Sequence, residues 1–221
     1  MKIRAVVFDL DGVLFDACDL HFKALNKGLK DAGFEPISDE DHHGRFDGLP
    51  TNTKLKMLGV EGEDAKRVWG LKQKATAEML GEVVEIDTGT VALLQGLRDR
   101  GYKLACASNS IRMSVDLMVN GVGAAPFMEF TLSNEDVENP KPHPDIYLEA
   151  CRRMELEPRE VLVVEDNING QRACLEAGCR LCVVKNPTEV TIERVLGAIR
   201  DHESVLDFMP APGRHGRHGN A

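Results

Sequence analysis

The sequence predicts an α/β protein, a parallel sheet flanked by helices with a small all-helical insert after the first strand. Three observations carry this expectation. From residue 87 onward, short apolar runs alternate with helical spacings, the pattern of strand–helix–strand crossovers. The apolar runs do not alternate with polar residues, as befits strands covered on both faces. Between residues 16 and 80 no strand pattern occurs, only helical spacing.

The first apolar run, Ala5 to Phe8, reads as a buried strand. Asp16 to Ala32 follows with helical spacing, with Leu20, Ala24, Leu25 and Leu29 near one face. Asp16 suits its N-cap and Gly33 the position past its end. Asp39 to His43 reads as a solvated loop or helix start. Further helices are expected over Thr51 to Leu58 and Glu63 to Leu80, with hinges at Phe15–Cys18 and Gly81–Asp87. Strands are then expected at Lys103–Ala107, Phe130–Ser133, Val161–Val164 and Leu181–Val184. Helices separate and follow them at Val91–Arg100, Ser110–Asn120, Pro144–Met154, Ile168–Ala177 and Thr191–His202. The expected organisation is a core of residues 1–15 and 85–208, a helical cap of residues 16–84, and a disordered tail of residues 209–221 rich in Gly, Pro, Arg and His.

At 221 residues the chain can hold a core plus such an insert. A net charge of -9 argues against a nucleic-acid partner, whose phosphates would be repelled. No apolar run reaches membrane-span length and the N-terminus lacks a signal-peptide pattern, so a cytoplasmic monomer is expected. Cys174, Cys179 and Cys182 match an iron–sulfur spacing, but they fall on a helix and the strand after it, with no loop to wrap a cluster. Reduced, structural cysteines are the expectation.

The chemistry gathers at the ends of the expected strands, where an open parallel sheet binds ligands. Asp9 and Asp11 stand at i and i+2 after the first strand, so their carboxylates crowd one another unless a cation intervenes or one is protonated. An Asp-Gly hairpin is the alternative, but Val13-Leu14-Phe15 does not alternate as a solvated return strand would. The second strand delivers Ser108-Asn109-Ser110 to a helix start, which offers a hydroxyl and backbone N–H groups to a phosphate, or simple capping. Lys141, between Pro140 and Pro142, is an ammonium on a stiffened loop. Glu165 and Asp166 end a buried strand, where two acids suit a hard cation such as Mg²⁺. Carboxylates, a hydroxyl and an ammonium on one face fit phosphoryl transfer.

The run Asp9-Leu-Asp-Gly-Val-Leu-Phe-Asp16 resembles the first motif of the haloacid dehalogenase superfamily, in its phosphatase and β-phosphoglucomutase branch. The other stations follow in type and order over nearly the whole chain. The resemblance implies a Rossmann-like core with an α-helical cap. It also implies Asp9 as nucleophile and metal ligand, and Asp11 as general acid and base with its carbonyl on the metal. Ser108, Asn109 and Lys141 would bind the phosphoryl group, and Glu165 and Asp166 would complete a Mg²⁺ site. His21 and Lys74 lie where the mutases carry a cap histidine and lysine, and so become candidate substrate contacts. Thr51 stands where those mutases carry a phosphate-gripping arginine, and Ala17 replaces a hinge hydroxyl. The expected activity is therefore Mg²⁺-dependent hydrolysis of a small phosphorylated metabolite, a sugar or sugar-acid phosphate, through an aspartyl phosphate. A phosphomutase is the alternative, and a non-catalytic phosphate-binding module on the same scaffold is a third.

Overall fold

The computed structural model describes residues 2–46, 49–83 and 85–206; the expected tail at 209–221 lies outside them. Among the described residues, five strands form one parallel sheet: β1 (Ala5–Phe8), β2 (Lys103–Ala107), β3 (Phe130–Leu132), β4 (Val161–Glu165) and β5 (Arg180–Val183). Their order is β3-β2-β1-β4-β5, so β1 lies at the centre. The chain winds outward from β1 through β2 to β3, then crosses back and winds the other way through β4 to β5. That reversal creates a switch point beside β1, where strand ends diverge and leave a crevice.

The helices are α1 (Cys18–Asp31), α2 (Asp39–Asp41), α3 (Thr51–Met57), α4 (Gly62–Val83), α5 (Thr88–Arg98), α6 (Arg112–Gly121), α7 (Asp145–Met154), α8 (Ile168–Ala177) and α9 (Ile192–Leu206). Side chains of β1 alternate between two cores because successive residues of a strand point to opposite faces. Val6 and Phe8 join a cluster with Leu94, Leu97, Met118 and Val195 from α5, α6 and α9. Ala5 and Val7 join Ile146, Tyr147, Ala150 and Cys174 from α7 and α8. Covering on both faces explains why every residue of β1 is buried and why the run is apolar throughout.

Several local expectations shift by a few residues. Ala17, not Asp16, is the N-cap of α1 and makes no side-chain capping bond; Asp16 borders the cleft instead. Gly33 does follow the helix end, with φ +84°. Asp39–Asp41 is a short helix capped by Ser38, and α5 begins at Thr88 because the Asp87 side chain accepts from the Gly89 N–H. His42 and Phe22 stack at 4.4 Å, so that histidine is a packing residue. Cys106, Cys151, Cys174, Cys179 and Cys182 are free and buried.

Helices α1 to α4 fill the chain between β1 and the run into α5, and they carry a third apolar cluster of their own. Leu25, Leu29, Ile37, Phe46, Leu55 and Val68 form it. Helix α1 crosses α4 so closely that a Cβ on Gly28 would meet the Lys72 nitrogen at 2.9 Å and the Val68 oxygen at 3.0 Å. Only a glycine allows that approach, and the atoms it would strike are rigid helix backbone. Gly70, by contrast, has nothing within 4 Å of the corresponding position. Gly28→Ala should therefore destabilise by about 1–3 kcal/mol through overpacking, whereas Gly70→Ala should stabilise by about 0.5–1 kcal/mol through helix propensity. Urea unfolding of the two variants reads both signs, and a gain from Gly28→Ala would contradict the close crossing.

Candidate active site

The register of the sheet places the acids in a row. Phe8 pairs with Cys106 on one side and Val164 on the other, so Asp9, Ala107 and Glu165 are each one residue beyond the same level. The Asp9 N–H donates to the Val164 carbonyl at 3.0 Å, which ties the start of the loop to β4. Next, Gly12 takes φ +82°, and a Cβ there would lie 2.1 Å from Asp166 Oδ2. The glycine thus lets the first acidic loop close onto the last. Gly170 does the same on α8, where a Cβ would fall 1.5 Å from Glu165 Oε1.

Lys141 lies at the bottom of this arrangement, 5% exposed. Its three ammonium protons are all used: Nζ donates to Asp9 Oδ1 at 2.5 Å, Glu165 Oε1 at 2.7 Å and the Ala107 carbonyl at 2.9 Å. The Tyr147 hydroxyl donates to the same Glu165 oxygen at 2.9 Å, and its ring lies 4.9 Å below the ammonium. Burial opposes the charge on Lys141, but the two carboxylates outweigh it and hold its pKa above the usual lysine range. Asn109 explains how the loop is aimed. Its amide donates to the Lys141 carbonyl at 3.0 Å and accepts from the Lys141 N–H at 2.9 Å. The Asn109 side chain is thus committed to placing the lysine, and what it could offer a phosphate is backbone.

Asp11 has different neighbours. Its Oδ1 lies 3.1 Å from His21 Nε2, and its Oδ2 accepts from Ser110 Oγ at 2.9 Å and from Ser108 Oγ at 3.4 Å. Burial pushes its pKa up, but His21 and the Ser110 hydroxyl more than offset this and leave it lowered. Asp9 goes the other way. Burial raises its pKa, Lys141 pulls it down, and Glu165 and Asp11 push it up again, for a net rise well above the ordinary value. Lys141 faces Asp9, Glu165 and Asp166, while Asp11 draws on His21 and the Lys72 charge, so the strand-tip cluster carries surplus negative charge. The two carboxylates thus lie in different electrostatic surroundings, one beside acids and Lys141 and the other beside His21 and Ser110.

Oxygens of Asp9, Glu165 and Asp166 lie within 4.8 Å of one another. Asp166 Oδ1 is buried without a hydrogen-bond partner, and burial with the nearby Glu165 charge raises the Asp166 pKa to about 6. An all-oxygen donor set, an orphaned carboxylate oxygen and uncompensated negative charge fit a hard divalent cation such as Mg²⁺. The acids border a cleft of about 560 Å³, lined from the helical insert by residues of α1, α3 and α4.

Of the residues singled out from sequence, Asp9, Asp11, Ser108, Asn109, Lys141, Glu165, Asp166 and His21 all border this cleft. Lys74 does not. Its side chain is 75% exposed and lies 3.9 Å from Glu78. Lys72 takes the expected place, 7% exposed, with Nζ 3.4 Å from His21 Nδ1. Two residues along a helix turn a side chain through about 200°, so the two lysines cannot share a face. Burial and the Lys54 charge lower the Lys72 pKa to about 8, against the pull of Asp11. Ser110 and Gly12 figured in the sequence only as part of the helix start and of the first motif, and Tyr147, Lys72 and Gly170 were not identified from it. Lys72 could have been, because it stands at i+3 from Trp69 on the face that continues to Gln73.

A family model described as haloacid dehalogenase-like hydrolase matches residues 6–184. The chain belongs to that family. A phosphorylated carbohydrates phosphatase of Thermotoga maritima is 29% identical, over 89% of this chain and 86% of its own. Protein CbbY of Rhodobacter capsulatus is 31% identical, over 86% of this chain and 88% of its own. Among solved structures, β-phosphoglucomutase of Clostridium difficile superposes with a TM-score of 0.78 at 20% identity, covering 92% of this chain and 100% of the other. CbbY of Rhodobacter sphaeroides, in complex with xylulose-(1,5)bisphosphate, gives 0.72 at 22% identity, covering 82% and 86%. At those identities the family's fold is what the superpositions share with this chain.

Two outcomes follow from the geometry. Lys141→Met should destabilise the fold by about 3–5 kcal/mol, because Asp9 and Glu165 lose the counter-charge they share while remaining buried. Chemical denaturation measures this; a change below about 1 kcal/mol would contradict the buried network. In the metal-free protein, a raised Asp166 pKa means that stability falls as pH rises from about 3.8 through about 6. Asp166→Asn should therefore raise the metal-free melting temperature at pH above 6 and abolish any stabilisation by added Mg²⁺. For the unsubstituted protein, that stabilisation should fade as pH drops below about 6, since Asp166 takes up a proton. Thermal scans across pH, with and without Mg²⁺, read all three.

Proposed function

We propose that the protein is a phosphoric monoester hydrolase acting on a small phosphorylated metabolite, a sugar or sugar-acid phosphate. The observation that carries this reading is the pairing of Asp9, held by buried Lys141, with Asp11, held by His21, on the lining of one cleft. Curated relatives over most of the chain are named phosphatases, one of them for phosphorylated carbohydrates.

In this reading Asp9 is the nucleophile. Its free oxygen attacks phosphorus while Lys141 holds the other in place, and an aspartyl phosphate forms as the ester oxygen departs. Asp11 donates a proton to that oxygen, then takes one from the water that cleaves the intermediate. Its lowered pKa suits the second role directly. An incoming phosphate dianion raises it by like-charge repulsion and so favours the protonated form that the first role needs. Ser108 and the backbone N–H of Asn109 receive the phosphoryl oxygens. Asp9, Glu165 and Asp166 would hold Mg²⁺, which would neutralise charge on the transferring group. Residues 16–84 act as a cap that excludes bulk water and selects the substrate, while residues 1–15 and 85–208 form the catalytic core.

Phosphate release from an aryl phosphate should require Mg²⁺. Asp9→Asn should abolish turnover, and Asp11→Asn should lower kcat by about 10²–10⁴-fold. Acid quench of the unsubstituted enzyme with radiolabelled substrate should trap label on Asp9. Retained turnover in Asp9→Asn would sink the assignment. With a hexose 1-phosphate and a bisphosphate primer, isomerised ester in excess of free phosphate would favour the phosphomutase reading instead.

A further inference from the structure

Phosphoryl transfer as derived above uses no thiol, and among the described residues no cysteine borders the cleft. Two of the buried cysteines nevertheless meet. Cys151 Sγ lies 3.7 Å from Cys179 Sγ, across 28 residues of chain. Cys151 stands in the last turn of α7, on the buried face that it shares with Tyr147, Ala150 and Met154. Helix α8 ends at Gly178, whose φ of +81° turns the chain, and the Cys179 N–H donates to the Cys174 carbonyl at 3.1 Å. That turn delivers Cys179 to the end of α7, immediately before β5.

The pair differs from its neighbours in chemistry as well as place. Burial pushes the thiols of Cys106, Cys174 and Cys182 up. Cys151 moves down instead, because its hydrogen bond with Cys179 outweighs burial, and the same bond together with burial pushes Cys179 up. A thiolate formed at Cys151 is therefore held by the S–H beside it, and the thiolate is the nucleophile in sulfur chemistry. Cys174 Sγ is engaged elsewhere, donating to the Arg180 carbonyl at 3.5 Å. Cys151 and Cys179 are 3% and 5% exposed, which admits a water-sized reagent and turns a bulky one away. Both stand at helix ends, which open before helix centres do.

We propose that Cys151 and Cys179 are an oxidisable dithiol, which hydrogen peroxide converts to a disulfide tying α7 to the junction of α8 and β5. The Cys151 thiolate attacks one peroxide oxygen, the O–O bond breaks, and the hydroxide released takes up the thiol proton to become water. Cys151 is left as the sulfenic acid. The Cys179 sulfur then attacks the Cys151 sulfur. The S–S bond forms, the S–O bond breaks, and the departing oxygen leaves as a second water with the Cys179 proton. Two thiols and one peroxide thus give one disulfide and two waters. The bond encloses β4, Asp166 and α8 in one covalent loop. It also fixes α7 one turn beyond Tyr147, whose hydroxyl donates to Glu165. Oxidation therefore stabilises the fold around the strand that ends in Glu165, by restricting the unfolded chain.

The test treats the reduced, folded chain with excess hydrogen peroxide, then denatures it, alkylates the remaining thiols and maps its peptides by mass spectrometry. A linked Cys151–Cys179 peptide should dominate, with the other four of the six cysteines alkylated. The oxidised protein should melt about 5–10 °C above the reduced one, and dithiothreitol should reverse the gain. Cys179→Ala should show no such gain and should accumulate sulfenic acid at Cys151, captured with dimedone. A linkage through Cys174, thiols that stay reduced in the folded chain, or an unchanged melting temperature would each overturn the proposal. The peptide map uses the unsubstituted chain, so it decides the matter even where Cys179→Ala fails to fold.

Discussion

The ammonium of Lys141 is the point on which the site depends. It is buried, yet each of its protons has an acceptor from a different part of the chain: the loop after β1, the end of β2 and the end of β4. Charge buried in this way is tolerated only when every donor is satisfied and the counter-charges are close. In return the lysine draws three strand ends together at one level and orients Asp9 with one oxygen fixed. Tyr147 and Asn109 then serve the lysine rather than the reaction. One braces Glu165 from beneath, and the other clamps the loop backbone on both sides of the Lys141 residue.

The arrangement also explains why the acids do not expel one another. Burial, together with the surplus of carboxylate over ammonium among Asp9, Glu165, Asp166 and Lys141, raises Asp9 and Asp166, and one Asp166 oxygen has no hydrogen-bond partner. Such a site is poised for a cation. Asp11 escapes the same fate because His21 and Ser110, reached from the insert and from β2, supply what Lys141 cannot.

Much of this was legible in the sequence, for identifiable reasons. Strands covered on both faces leave unbroken apolar runs, and the polar residues that interrupt them mark the strand ends, so Asp9, Ser108 and Glu165 stood out. Lys141 was visible because prolines flank it. Residues whose importance comes from reach across the fold were not legible. Tyr147 lies inside a helix with an unremarkable amphipathic pattern, and only tertiary packing brings it under Glu165. Gly12 and Gly170 matter because of acids more than a hundred residues away, or five residues away across a turn. Lys74 shows a simpler case: its place along the chain fits the family pattern, but α4 turns Lys72 inward to His21 and Lys74 out to Glu78.

The strand tips and the wall of α4 are built from separate stretches of chain, joined at the glycine crossing of α1 over α4. The two walls are nevertheless wired together: Lys72 on α4 touches His21, which holds Asp11, so a change made on the insert is felt by a carboxylate at the strand tips.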